Sequence, residues 1–381
     1  MYCFVLPWEQ RKLGEFVDIY DGTHQTPKYT DFGIKFVSVE NISNLESKKF
    51  IGQEAYTNEY AKKPAEKGDV LMTRIGDIGT SHVVETDEPL AYYVTLALLK
   101  PKKIDSYFLS WLISSPKVQQ NIWKRTLHIA FPKKINLGEI NQVEASIPKE
   151  REQQQIGAFF KQLDNTIVQN GRKSDLLKRQ KQAYLQKIFS QELRFAGFND
   201  VWEDHKLKDA AQFNPKSILP DKFEYVDLES VVGTEMVSHR TESKDQAPSR
   251  AQRLARKGDV FYQTVRPYQM NNYLYDLLYE DYVFSTGYAQ MRPNVDSYFL
   301  LNSVQNKKFV QHVLDRSTGT SYPAINSSDL SNIAIQVPLE TLEQQKIGLF
   351  FKQLDNLITL HQQKLELLKK QKQAYLQKMF I

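Results

Sequence analysis

One cysteine, Cys3, in 381 residues excludes an internal disulfide framework and any cysteine-based zinc site, and fits a reducing cytosol. No run approaches 18 apolar residues, so no segment reads as a membrane-spanning helix. The opening MYCFVLPWEQRK has no basic n-region and no small-residue cleavage site, which reads against a secretory signal. Phosphate loops of the GxxxxGK[ST] type, a GxGxxG after a strand and HExxH are all missing. The seven histidines are scattered singly. FNPKS at Phe213–Ser217 is the nearest approach to the NPPY-type motif with which an amino-methyltransferase holds a flipped base, and it lacks the second proline and the aromatic. Neither sign of charge dominates: 50 Lys+Arg against 45 Asp+Glu give +5, which permits nucleic-acid binding without requiring it. One loose nuclease pattern, PD…ExK, is met by Pro220-Asp221 and Glu242-Ser243-Lys244. The first half of the chain has no counterpart to it, and so short a pattern arises easily in a charged sequence. The sequence reads as a reader or a scaffold, not a catalyst.

What is present is a repeat. QKQAYLQK stands at Gln180–Lys187 and again at Gln371–Lys378. The match extends over Glu152–Phe189 and Glu343–Phe380, where 26 of 38 positions are identical. Fainter echoes keep nearly the same offset: KGDV at Lys67 and Lys257, DSYFL at Asp105 and Asp296, WEQRKLGE near the start and WEDHKLKD at Trp202. The chain is a tandem duplication of a variable body of about 150 residues followed by a nearly fixed segment. Two copies are too few for a solenoid and predict a pseudo-two-fold molecule. The expected boundaries are 1–150 and 191–341 for the bodies, and 151–190 and 342–381 for the fixed segments.

The fixed segments have helical composition and a 4-3-4-3 apolar track. In the first copy it runs through Ile156, Phe160, Leu163, Ile167, Asn170, Ser174, Leu177, Lys181, Tyr184 and Ile188. In the second it runs through Ile347, Phe351, Leu354, Ile358, His361, Leu365, Leu368, Lys372, Tyr375 and Met379. More than four heptads of a/d seam predict a long coiled-coil helix, and 38 residues give a rod of roughly 57 Å. A lone amphipathic helix leaves its seam wet, so the other copy is the expected partner. The polar seam positions Asn170, His361, Lys181 and Lys372 are expected to fix register or to mark where the helices splay. Each segment carries 7 Lys+Arg against 3 Asp+Glu, so the two hold +8 and the rest of the chain −3. Bulk charge on the bodies therefore cannot drive phosphate binding; local patches, the helices or partner subunits must supply it.

The bodies read as mixed α and β. VLMTRIGDIG, AYYVTLALLKP, DVFYQTVRPY and YVFSTGYAQMRP are strand-like runs between turn residues. DSYFLSWLISSPKVQQNIWK and DSYFLLNSVQNKKFVQHVL read as amphipathic helices. Each is followed by a polar loop with an aromatic next to proline, LHIAFPKKIN and STGTSYPAIN. The expected class is α+β: two globular mixed bodies in tandem, with two long helices forming an antiparallel intramolecular coiled coil.

These features together resemble the specificity subunit of type I restriction–modification systems, and the resemblance covers essentially the whole chain. It rests on the order of variable body, EQQxIGxFFxxLDxxI…LLKxQKxAYLQKxF helix, RFxGFxxxWExxKL restart, second body and second helix. The helix motif, present twice, is highly specific. GDVLMTRIGDIG, GDVFYQTVRPY and TGTSYPAINSSDLSNIAIQVP are similar to body motifs of that family and weaker singly. The lead-in MYCFVLPWEQRKL is shortened or altered against LRFAGFNDVWEDHKL. The resemblance implies two target-recognition domains, each reading one half of a split, asymmetric site on double-stranded DNA, with the helices as a spacer. It further implies docking of two methyltransferase (modification) subunits and of restriction (motor–nuclease) subunits. S-adenosylmethionine, ATP and Mg²⁺ would then belong to those partners, with the chain itself non-catalytic and cytoplasmic in a bacterium or archaeon.

Base edges are read by polar side chains on loops, with phosphate contacts beside them. In the first body the candidates are Thr23, His24, Gln25, Arg74, Asp77, Lys133 and Lys134. In the second they are Thr264, Arg266, Tyr268, Gln269, Asn271, Asn272, Thr320, Ser321 and Tyr322. Two other readings stay open: an assembly scaffold without DNA contact, and a subunit cutting DNA through its own PD…ExK residues.

Overall fold

A computed structural model describes residues 8–380; Cys3 and most of the altered lead-in lie outside the described residues. Contacts divide the chain into two units. One takes the residues up to Gly171 together with those from Gln363 onward, and the other runs from Arg172 to Gln362. Each unit therefore combines one body with part of both long helices, Glu150–Phe189 and Thr341–Met379. The chain adopts the expected α+β class. Among the described residues no helix is long and apolar enough to cross a membrane.

In the first unit, strands Val17–Asp21, Leu96–Pro101, Val70–Thr73 and Ser81–Val83 form an antiparallel sheet in that order. A second sheet joins Tyr29–Thr30, Phe50–Ile51, Ile34–Val37 and Leu90–Tyr92, the last pair parallel. Strand Val70–Thr73 is buried throughout because it serves two cores. Side chains alternate across a strand, so Val70 and Met72 join the core under the helices while Leu71 joins the core of the second sheet. The second unit repeats the device. Val260 and Tyr262 enter one core and Phe261 the other, within a sheet ordered Ala211–Phe213, Tyr288–Pro293, Val260–Gln263, Tyr273–Leu274.

The DSYFL segments differ from the expected continuous helices. The first breaks into Ser106–Ser114 and Pro116–Arg125, because Pro116 cannot continue a helix but suits the first turn of a new one. The second breaks into Ser297–Ser303 and Lys307–Leu314, where Asn306 caps the new start through Phe309 N–H. Asp105 and Asp296 cap the first member of each pair in the same way.

The EQQxIGxFF motif explains itself in contacts made twice. Glu152 accepts from Trp8 Nε1 at 3.1 Å, and Glu343 accepts from Trp202 Nε1 at 3.2 Å. Gln153 accepts from Asp105 N and donates to Pro148 O; Gln344 does the same with Asp296 and Pro338. Ile156, Phe160, Ile347 and Phe351 are buried. A Cβ on Gly157 would lie 2.4 Å from Asp105 Oδ1, and one on Gly348 2.3 Å from Asp296 Oδ1. Only glycine admits that approach of helix to body.

Within each unit the two long helices run antiparallel. In the first unit Phe159 meets Tyr375 edge-on at 5.1 Å, Lys372 pairs with Asp164 at 2.7 Å, and Phe380 packs on Trp8, Phe108 and Phe160. In the second, Phe350 meets Tyr184 at 5.1 Å, Lys181 pairs with Asp355 at 2.6 Å, and Phe189 packs on Trp202, Phe299 and Phe351. Of the seam residues, Ile156, Phe160, Asn170, Ser174, Leu177, Lys181, Ile188, Ile347, Phe351 and Ile358 are buried, Leu163, Ile167, Tyr184, Leu354, His361, Leu365, Leu368, Lys372 and Met379 are partly buried, and Tyr375 is 41% exposed.

A repeated polar clasp adds to this attachment. Tyr107 donates to Glu85 at 2.5 Å and contacts Lys161, while Tyr298 donates to Asp276 at 2.7 Å beside Lys352. The Tyr107 hydrogen bond, with Lys161 assisting, holds the Glu85 carboxyl below the usual range.

Candidate nucleic-acid interface

Three loops distant in sequence converge in the first unit. Arg74 N–H donates to Thr95 O, Ile135 N–H to Arg74 O, and Gly76 N–H to Lys133 O, each at 2.9 Å. Leu127 N–H donates to Lys134 O at 2.8 Å and closes the loop Leu127–Lys134 on itself. The third loop joins through one carboxylate: Asp21 takes the Arg74 guanidinium on one oxygen and His24 Nε2, at 2.8 Å, on the other. His24, Gln25, Asp77, Lys133 and Lys134 are exposed around this junction. Asp77 accepts from Thr80 Oγ1 at 2.7 Å, and Lys133 Nζ lies 4.6 Å above the Trp123 ring.

Two candidates lie beneath the surface. Arg74 is buried, donating also to Ile135 O, and Thr23 is buried with its backbone paired to Tyr92. Their place is that of supports: Arg74 steadies Asp21, and Asp21 orients His24.

The second unit builds the same junction with different residues. Thr264 N–H donates to Gly287 O, Ile325 N–H to Thr264 O, and Arg266 N–H to Pro323 O, at 2.8–3.0 Å. Thr318 and Ala324 exchange both backbone hydrogen bonds at 2.9 Å and close the loop that corresponds to Leu127–Lys134. The backbone ladder is shared, so Arg74 answers to Thr264, Gly76 to Arg266, Lys133 to Pro323 and Lys134 to Ala324. Arg266 has left-handed backbone, φ 54°, and its guanidinium lies 4.4 Å above Tyr322. Tyr268, Gln269, Thr320, Ser321 and Tyr322 are exposed.

Thr264 and Asn272 are buried. Thr264 Oγ1 donates to Gly287 O, and Asn272 Oδ1 accepts from Gln263 N–H at 2.8 Å. Asn271 Oδ1 accepts from Gly233 N–H at 2.8 Å. These three hold the loop. Gln263, absent from the sequence-based candidates, donates to Val265 O and to Gln269 Oε1 at the floor of a cleft of about 290 Å³ lined also by Arg266 and Asn271. Asp21 was likewise missed. Both end a strand and precede a loop, and nothing in spacing marks such a residue as a bridge.

The PD…ExK residues lie at one end of the paired strands Lys222–Val226 and Arg240–Ser243: Asp221 just precedes the first, Glu242 and Ser243 belong to the second, and Lys244 just follows it. Lys244 N–H donates to Asp221 O at 2.9 Å, and the Glu242 carboxylate is engaged by Arg240 Nε at 2.8 Å. Among the described residues no group of three or more His, Cys, Asp or Glu side chains is gathered as for a metal ion.

The family profile of the type I restriction modification DNA specificity domain matches residues 6–179 and 199–370. The protein assigned as the MjaX type I restriction enzyme specificity subunit of Methanocaldococcus jannaschii is 24% identical, over 96% of this chain and 91% of that one. The MjaVIII specificity subunit of the same organism is also 24% identical, over half of this chain and 48% of its own length. The crystal structure of the type I restriction–modification S subunit of M. genitalium superposes with a TM-score of 0.66 over 100% of this chain and 98% of that one, at 14% identity.

Proposed function

The chain belongs to the type I restriction–modification DNA specificity family, and we propose on that footing that each unit reads one half of a bipartite, asymmetric site in duplex DNA. The observation that carries this reading is the shared backbone ladder with exchanged side chains. Base contacts specify sequence and phosphate contacts position the protein. A reader of two unlike half-sites therefore needs one scaffold presenting two sets of polar groups. His24, Gln25, Asp77, Lys133 and Lys134 are the set of the first unit; Arg266, Tyr268, Gln269, Thr320, Ser321 and Tyr322 are that of the second. Arg74, Thr23, Thr264, Asn271 and Asn272 position the loops.

The long helices, of 40 and 39 residues, set the half-site spacing in this proposal and dock two methyltransferase subunits, which restriction subunits join. S-adenosylmethionine, ATP and Mg²⁺ act on those partners, and this chain contributes recognition alone. Helix length then works as a ruler: a one-turn insertion changes the accepted spacer and leaves both half-site sequences unaltered.

Mapping methylated adenines in cells that carry this chain with its methyltransferase tests the reading. The expected result is a split motif with two unlike halves and a fixed spacer. A methylation pattern indifferent to this chain would leave the scaffold reading. Cleavage of plasmid by the purified chain with Mg²⁺ alone would favour the nuclease reading.

A further inference from the structure

The loop Leu127–Lys134 carries two bulky apolar side chains fully in water at its tip: Ile129 is 99% exposed and Phe131 104%. Scattered exposed apolar residues are ordinary, but two at one loop tip, both without contact to their own unit, call for an occupant. The tip is not a loose segment that could fold them away. Its base is closed by the Leu127–Lys134 hydrogen bond and tied to the loop after strand Val70–Thr73 by the Ile75–Lys134 bridge. Cations flank it: Lys134 is exposed, and Lys133 stands with its ammonium over Trp123.

The second unit has no such tip. Its corresponding loop offers Thr320, Ser321 and Tyr322, and the Tyr322 ring is already covered on one face by the Arg266 guanidinium. The difference therefore belongs to one half of the molecule.

We propose that Ile129 and Phe131 form a wedge that enters a base-pair step of the half-site read by the first unit, unstacking it and bending the duplex there. The proposal rests on the DNA-reading function given above. Apolar side chains inserted between bases, with cations beside them for the phosphates, are how proteins kink a duplex. A purely apolar groove would gain nothing from the adjacent lysines, whereas the phosphates on either side of a base step do. Readout at that step then depends on how easily the sequence deforms, so a flexible pyrimidine–purine step is preferred where no polar side chain touches a base.

The test uses the full chain assembled with its methyltransferase subunits and duplexes containing the mapped target, with 2-aminopurine placed in turn at each step. Expected is a fluorescence rise at one step of one half-site that the double variant I129A/F131A removes and Leu278→Ala, at an exposed apolar residue outside both reading sets, does not, with binding weakened roughly tenfold by the double variant. Phe131→Trp should keep the rise. Sequence-specific binding by the wild type with no step silenced by I129A/F131A would overturn the wedge while leaving the reading of two half-sites intact. Failure of I129A/F131A to assemble with the methyltransferase would overturn it too, by making the tip a protein-docking element. A wild type that does not select the target at all would refute the reading itself.

Discussion

The ammonium of Lys181 lies 2.6 Å from Oδ1 of Asp355 on the other long helix, with side chains only 10% and 27% exposed. Its counterpart in the repeat, Lys372 with Asp164 at 2.7 Å, is 27% and 36% exposed. Burial holds the Asp355 carboxyl above the usual range even though the Lys181 charge opposes it. Desolvation thus outweighs attraction at this pair. Asp355→Asn strands a buried ammonium and should cost about 2 kcal/mol, whereas Asp164→Asn should cost under about 1 kcal/mol. The apolar replacement K181M/D355L should recover most of the loss. Urea unfolding of the four chains checks the order.

Helix propensity and packing pull glycine in opposite directions at two positions of one helix. At Gly157 a Cβ would stand 2.4 Å from Asp105 Oδ1 and 2.9 Å from Phe108 N, the very atoms of the cap on helix Ser106–Ser114. At Gly171 nothing lies within 4 Å. Gly157→Ala should therefore destabilise by roughly 1–3 kcal/mol, and Gly171→Ala should stabilise by about 0.5–1 kcal/mol. Thermal unfolding of both variants gives the two signs.

The same contrast shows what a sequence displays. The helix motif was legible because its residues face one invariant neighbour, the body's own cap and tryptophan. The seam lysines stood out as polar residues on an apolar track, yet their Asp164 and Asp355 partners did not. Periodicity gives the face of a helix, not its axial alignment with another. In the bodies the loops that converge were marked by Gly, Pro and polar residues. Whether a loop side chain points out, like Gln25, or in, like Arg74 and Asn272, depends on backbone turns that composition does not encode.

Acid should loosen the clasp between helix and body in a defined direction. Glu85 has its pKa lowered, first by the Tyr107 hydrogen bond and then by Lys161. A carboxyl depressed on folding contributes stability above its unfolded pKa and loses it as pH falls through the folded value. Tyr107→Phe should therefore cost about 1 kcal/mol near neutrality. The gap to wild type should close as pH drops below the ordinary glutamate range. Unfolding curves of both chains from pH 7 to 3 measure it, and a gap that widens on acidification would contradict the clasp.

Arg266 occupies a position where the first unit has Gly76. Gly76 takes φ 85° at no cost, whereas Arg266 takes φ 54°, a left-handed backbone that costs a side-chain-bearing residue about 1 kcal/mol. Nothing in the loop ladder requires that expense, since the Arg266 N–H bond to Pro323 O is a backbone contact that glycine also makes. The strain goes with the guanidinium, held over Tyr322 at 4.4 Å and suited to the acceptor pair of a guanine edge. Arg266→Gly should therefore fold as well as the parent or better, by up to about 1 kcal/mol. It should also relax base choice in the half-site of the second unit by roughly tenfold or more and leave the other half-site unchanged. Methylome mapping beside a denaturation curve separates the two effects: a variant that lost stability and kept its motif would make Arg266 a structural residue.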